Sequence, residues 1–107
     1  MEALKTQAYV DYLRPVAQIA QLGKGDSSKR SELLAALADA KTRICIYGSA
    51  KVIDALASFE KVGPILVSSN SRGEFLAVCN EMRRHSLGES EVVQADNLNL
   101  VLFGRED

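Results

Sequence analysis

The stretch Thr42-Arg43-Ile44-Cys45-Ile46-Tyr47-Gly48-Ser49 decides how the whole chain is read. Taken as a strand, its alternating β-branched and aromatic residues fit a pleated surface. Gly48-Ser49 is then a strand-to-helix turn that offers backbone N–H groups to an anion. Taken as the end of a helix, it prolongs the apolar series Leu33, Leu34, Leu37, Ala40, Ile44, Cys45 without a break in period, and Gly48-Ser49 is a corner between two helices. The residues before it favour the helix: from Ser31 to Lys41 the chain reads Ser-Glu-Leu-Leu-Ala-Ala-Leu-Ala-Asp-Ala-Lys, dense in strong helix formers.

Working outward toward the N-terminus, Gly23 and Gly25 enclose Lys24 and are followed by Asp26, Ser27 and Ser28, a helix stop with a set of N-cap candidates. Before them, Tyr9, Tyr12, Leu13, Val16, Ile19 and Ala20 recur at helical spacing, predicting a helix over Glu2 to Leu22 that is kinked at Pro15. Toward the C-terminus, Ser49 is a good cap for a helix whose apolar face is Val52, Ile53, Leu56 and Phe59, closed by Gly63-Pro64. Ser71 and Glu74 have capping-box spacing, and Phe75, Leu76, Cys79 and Met82 give the next helix its buried face. That helix ends in Arg83-Arg84-His85-Ser86-Leu87-Gly88, with cations where the dipole favours them. The tail fits either a strand, with Leu98, Leu100 and Leu102 alternating, or a short helix capped by Asp96 with Leu98, Val101 and Leu102 as its face.

Size and composition narrow the classes. The 107 residues fit one domain, 1–107, and an apolar fraction of 47% with 25% charged residues is that of an ordinary soluble globular protein. A net charge of −1, from 13 basic and 14 acidic residues, provides no global field to attract nucleic acid or an anionic membrane. No apolar run approaches the roughly 18 residues needed to span a bilayer. The start, Met1-Glu2-Ala3-Leu4-Lys5, lacks a signal-peptide layout, so the expected location is the cytoplasm. Cys45 and Cys79 each lie in an apolar stretch, outside any Cys-x-x-Cys or Cys/His cluster, and are expected as buried, reduced core thiols. With one histidine in the chain, no metal site and no cofactor is expected.

Two places carry chemistry. Tyr47-Gly48-Ser49 opens like a nucleotidyltransferase turn, which requires two carboxylates on a following strand; Asp54 and Glu60 instead fall within the predicted helix. The common glycine-rich nucleotide loops are absent. The second place is Arg83-Arg84-His85, with Arg72 one helix length earlier and Arg43 as a further cation, a patch suited to an acidic partner or a phosphate backbone, or simply to the helix dipole. The candidate binding residues are therefore Arg43, Tyr47, Ser49, Arg83, Arg84 and His85, and none is assigned a catalytic role. Tyr9, Tyr12 and Tyr47 are expected at core edges with their hydroxyls reaching solvent.

From about Leu33 to Gly88, the spacing Arg43-x-Cys45-Ile46-Tyr47-Gly48-Ser49-x-x-Val52-Ile53-x-Ala55-Leu56-x-x-Phe59-Glu60, followed by Phe75-Leu76 and Met82-Arg83, resembles a set of small uncharacterised bacterial helical proteins. The likeness covers about half the chain and implies an all-helical domain without implying an activity. Some members of that set carry an N-terminal membrane helix.

These readings converge on a mainly α fold, a small bundle of about four helices (Glu2 to Leu22, Ser28 to Tyr47, Ser49 to Val62, Ser71 to Leu87) with a short C-terminal element. The alternative is α/β, with strands at Arg43 to Tyr47, Ile65 to Val67 and Leu98 to Phe103. The expected function is that of a non-enzymatic interaction or accessory protein, binding itself as a homodimer or binding another protein. A small nucleotide- or phosphate-binding enzyme and a regulatory nucleic-acid binder stand as alternatives.

Overall fold

The computed structural model describes residues 2–23, 25–63, 65–66 and 68–104. Among them the fold is mainly α, without strands: α1 (Glu2–Ala20), α2 (Ser27–Tyr47), α3 (Ala50–Val62), α4 (Ser69–Leu87), a 3₁₀ turn (Glu89–Glu91) and α5 (Ala95–Phe103). The stretch that opened the question is therefore helical through Tyr47, with Gly48 and Ser49 as the cap positions that follow. Thr42 shows how its β-branched side chain is accommodated, since its hydroxyl donates to the Ala38 carbonyl one turn back at 3.0 Å. Leu98 to Phe103 lies within α5, and Ile65 and Leu66 form no strand, which excludes the α/β alternative for these residues; Val67, like Pro64, falls outside the described residues.

The chain divides into two compact units, Met1–Gly48 and Ser49–Asp107. The first is a hairpin of α1 and α2. Ala8, Tyr9, Tyr12 and Val16 of α1 meet Leu33, Leu37, Ala40 and Ile44 of α2, all buried, at the alternating three- and four-residue spacing of a helix seam. That seam is narrower than the predicted face: Leu34 and Cys45 lie one position off it and are exposed. Tyr9 and Tyr12 are wholly inside the seam rather than at its edge, a second correction. Helix α1 runs through Pro15 and ends at Ala20, two residues short of the expected Leu22. At the start of α2 Asp26 occupies the N-cap position, yet its carboxylate turns back to accept from Gly23 N–H at 2.9 Å, stabilising the loop instead of the helix end.

In the second unit α3 and α4 pack together through Val52, Leu56 and Phe59 on one side and Phe75, Leu76, Val78, Cys79 and Met82 on the other. Phe59 and Phe75 meet with ring centroids 5.4 Å apart and planes tilted by 50°, a geometry that suits the ring quadrupoles. The capping box of α4 is Ser68–Ser71 rather than Ser71–Glu74: Ser71 N–H donates to Ser68 Oγ at 3.1 Å and Ser68 N–H donates to Ser71 Oγ at 3.2 Å. A serine hydroxyl thus does the return work ordinarily given to Glu or Gln. The helix therefore starts two residues earlier than predicted. After Gly88, whose φ of 111° is strained for any side chain, the 3₁₀ turn and α5 fold back on α4.

Candidate functional site

The six candidate residues divide between the two units. Arg43 and Tyr47 belong to the first. Arg43 is the centre of an ion-pair network that ties the hairpin together. Its Nη2 lies 2.7 Å from Asp11 Oδ2 on α1 and 3.0 Å from Asp39 Oδ2 one turn earlier on α2. Gln7 adds a bond to the other oxygen of Asp11 at 2.8 Å. The Arg43 hydrogen bond, helped by Gln7, holds the Asp11 carboxyl below its ordinary value, and Asp11 in turn raises Arg43. The single positive charge of Arg43 is shared between two carboxylates, one on each helix, so this guanidinium is engaged within the hairpin. Tyr47 ends α2 and is half-buried.

Ser49, Arg84 and His85 come together in the second unit. Because α3 and α4 run antiparallel, the first turn of α3 faces the last turn of α4, and the two ends frame an open cleft of about 350 Å³ lined by Ser49, Ala50, Lys51, Glu81, Arg84, His85 and Glu89. Sequence reasoning singled out three of these residues without foreseeing that they would share one wall. Ser49 reaches the cleft as the N-cap of α3, its Oγ accepting from Val52 N–H at 3.1 Å. Arg84 Nη1 is bonded to Glu81 one turn back, and its Nε donates to Glu89 Oε2 at 2.8 Å. These two carboxylates, Glu81 first, hold the Arg84 pKa above its ordinary value. The Glu81–Arg84 pair has i, i+3 spacing and was readable from sequence; Glu89 joins only because Gly88 reverses the chain. Lys51 brings a second cation, so the formal charges of the two lysine and arginine side chains and the two glutamates balance.

Arg83 lies outside the cleft lining. Its Nε donates to the Glu91 carbonyl at 2.8 Å, with its Nη2 3.8 Å from the same residue's carboxylate, which fastens the 3₁₀ turn to α4. Next to it, Asn80 makes a pair of bonds to one backbone unit: Nδ2 donates to the Val93 carbonyl at 2.8 Å and Val93 N–H donates to Oδ1 at 3.1 Å. Nothing in the spacing of the chain pointed to Asn80, because its partner is an irregular segment 13 residues away.

The extended basic patch does not form. Arg72 is only 8% exposed and lines the floor of an open groove of about 150 Å³, together with Ser69, Gly73, Leu76, Ala95, Asp96 and Asn99. A helix period explains this: Arg72 stands one turn before the buried Leu76, so it shares the covered face. The two thiols also differ. Cys79 is buried, and loss of solvent pushes its pKa up to about 12, while Cys45 is exposed. Among the described residues, no group of three or more His, Cys, Asp or Glu side chains is placed to hold a metal ion, and no helix is long and apolar enough to cross a membrane. No family model matches the chain, and comparison with curated proteins and with solved structures finds no match.

Proposed function

We propose that this chain is a non-enzymatic interaction protein that associates through the outward side of α5, with a second copy of itself as the partner. The observation that carries this reading is the exposure of three consecutive large apolar residues, Leu100 at 48%, Val101 at 81% and Leu102 at 44%. Scattered apolar side chains on a surface need no explanation, but Leu100, Val101 and Leu102 stand together on one short helix and cover the part of its circumference that α4 leaves open. An amphipathic helix laid against an apolar partner is a common mode of protein recognition. Two free cysteines agree with a cytoplasmic setting, where thiols stay reduced.

Light scattering across a concentration series tests the proposal. The expected result is a molar mass rising toward the dimer, with Val101→Asp returning the protein to a monomer of unchanged helix content. A mass that stays monomeric at every concentration overturns self-association. The cleft beside Ser49 supports a second reading, an anion held by Lys51 at the start of α3, although Arg84 is engaged by Glu81 and Glu89. A nucleotide or inorganic phosphate that raises the melting temperature of the wild type but not of Lys51→Ala supports it, by ligand linkage. No shift removes it.

A further inference from the structure

The hairpin of α1 and α2 carries an open groove of its own, of about 270 Å³, between the two helices. Its apolar part is Pro15 from α1 with Leu33 and Ala36 from α2, and charges of both signs line it: Asp11 and Arg14 on α1, Asp39 and Arg43 on α2. Asp11 is bonded to Arg43 across the groove at 2.7 Å. The helices run antiparallel with a rise of about 1.5 Å per residue, so three steps on from Asp11 and four back from Arg43 bring Arg14 and Asp39 to nearly one height on opposite walls. These two still face solvent. Arg43 engages only Oδ2 of Asp39, whose side chain is 70% exposed, and Arg14 is exposed, with no salt bridge among the described residues. The signs therefore alternate in two directions. Along α1 they run negative then positive, and at the same heights on α2 they run positive then negative. Such a square of charges is complementary to itself when turned over about the line of the groove.

From this pattern we infer that the groove is a contact surface for a second copy of this chain, met about a two-fold axis that runs along the groove. That operation lays α1 of each copy over α2 of the other, antiparallel, as neighbouring helices lie in an up-down four-helix bundle. It sets Arg14 against the second copy's Asp39 and Asp39 against the second copy's Arg14, so one contact is made twice, as isologous pairing requires. Asp11 and Arg43 repeat the relation one turn away. Ion pairs at such exposed positions are individually weak, so the contact selects its partner by charge and fades with salt. It lies wholly within 1–48 and does not rest on the α5 reading; either can fail without the other.

Sedimentation equilibrium of Val101→Asp, which removes the α5 contact, tests the inference. At about 10 mM salt, where the Debye length is about 30 Å, its mass is expected to rise toward the dimer with concentration, and at about 300 mM salt to return to the monomer. The α5 contact of the wild type, being apolar, is expected to persist at the higher salt. In the Val101→Asp background at low salt, Arg14→Glu or Asp39→Lys should each weaken association by about 10-fold or more, because both copies of the pair become repulsive. An equimolar mixture of these two proteins should recover the parent affinity, since one then carries two negative and the other two positive charges at the paired positions. Both sites are exposed and both replacements are good helix formers, so helix content should not change. A Val101→Asp protein that stays monomeric at low salt overturns the inference. So does a mixture that associates no better than its components.

Discussion

Helices α3 and α5 both pack against α4, and they do so on different terms. Helix α3 begins at a serine whose hydroxyl accepts from the third N–H beyond the cap, that of Val52. It places Val52, Leu56 and Phe59 on one stripe, each buried. Helix α5 begins at Gln94 without a side-chain cap and buries Asn99. Its apolar residues are as large, but Leu100 to Phe103 are consecutive, so at about 100° per residue they point around most of the helix circumference. At most one or two of them can face α4 at once. Apolar content therefore does not dock a helix by itself; periodic placement does, and capping adds to it.

The largest test of that contrast is Phe59→Ala, which should cost about 3–5 kcal/mol in urea denaturation, the range for emptying an aromatic site in a close-packed core. Phe103→Ala in the same experiment should cost less than half as much, and equal costs would break the distinction between the two helices. Next comes Ser49→Ala, expected to lose about 1 kcal/mol with its cap bond. Gln94→Ser at the equivalent position of α5 should add a few tenths of a kcal/mol, read as increased helicity and slower α5 hydrogen exchange.

An acid titration supplies a reference outside both helices. Because Arg43 and Gln7 lower the folded pKa of Asp11, that carboxylate contributes stability above its ordinary value of 3.8, and the contribution is lost as pH falls through the lowered folded value. The group is part-exposed, so the effect should stay below about 1 kcal/mol. Asp11→Asn should flatten the acid limb of the stability curve without moving the α5 exchange rates. The smallest change is predicted for Val101→Ser at concentrations where the protein is monomeric, within about 0.5 kcal/mol of wild type, as expected for a side chain that touches little of its own chain. A larger loss would mean that the outward face of α5 already contributes to the folded unit.

Much of this architecture could be read from residues because it is local. The periods of α2 and α4, the Ser49 cap and the stop at Gly88 all depend on neighbours within a turn or two. The errors arose where the outcome depends on what a face meets. Leu34 and Cys45 share the apolar period of α2, yet the seam against α1 is only wide enough for Leu33, Leu37, Ala40 and Ile44. Asp96 looked like the cap of the last helix because it is the best capping residue nearby, but α5 starts at Ala95 and places Asp96 in its first turn. Of its expected buried face, Val101 and Leu102 are exposed and Leu98 is half-buried, while Asn99 is the residue of α5 that is buried. At the cleft, Ser49, Arg84 and His85 were visible as residue types suited to binding, whereas the Glu89 that occupies Arg84 depends on a chain reversal with no periodic signature.

The paired bonds from Asn80 to Val93 depend on the side chain being an amide rather than an acid. A primary amide presents one donor and one acceptor side by side and so imitates the edge of a peptide unit, matching the Val93 carbonyl and N–H together. Hydrolysis of that amide to a carboxylate exchanges the donor for a second acceptor and sets an anionic oxygen against the Val93 carbonyl. Asn80→Asp would thus unfasten the Glu89–Val93 segment at its far end. Faster hydrogen exchange at the Val93 amide in that variant, above the pH at which the new carboxyl ionises, would be its signature.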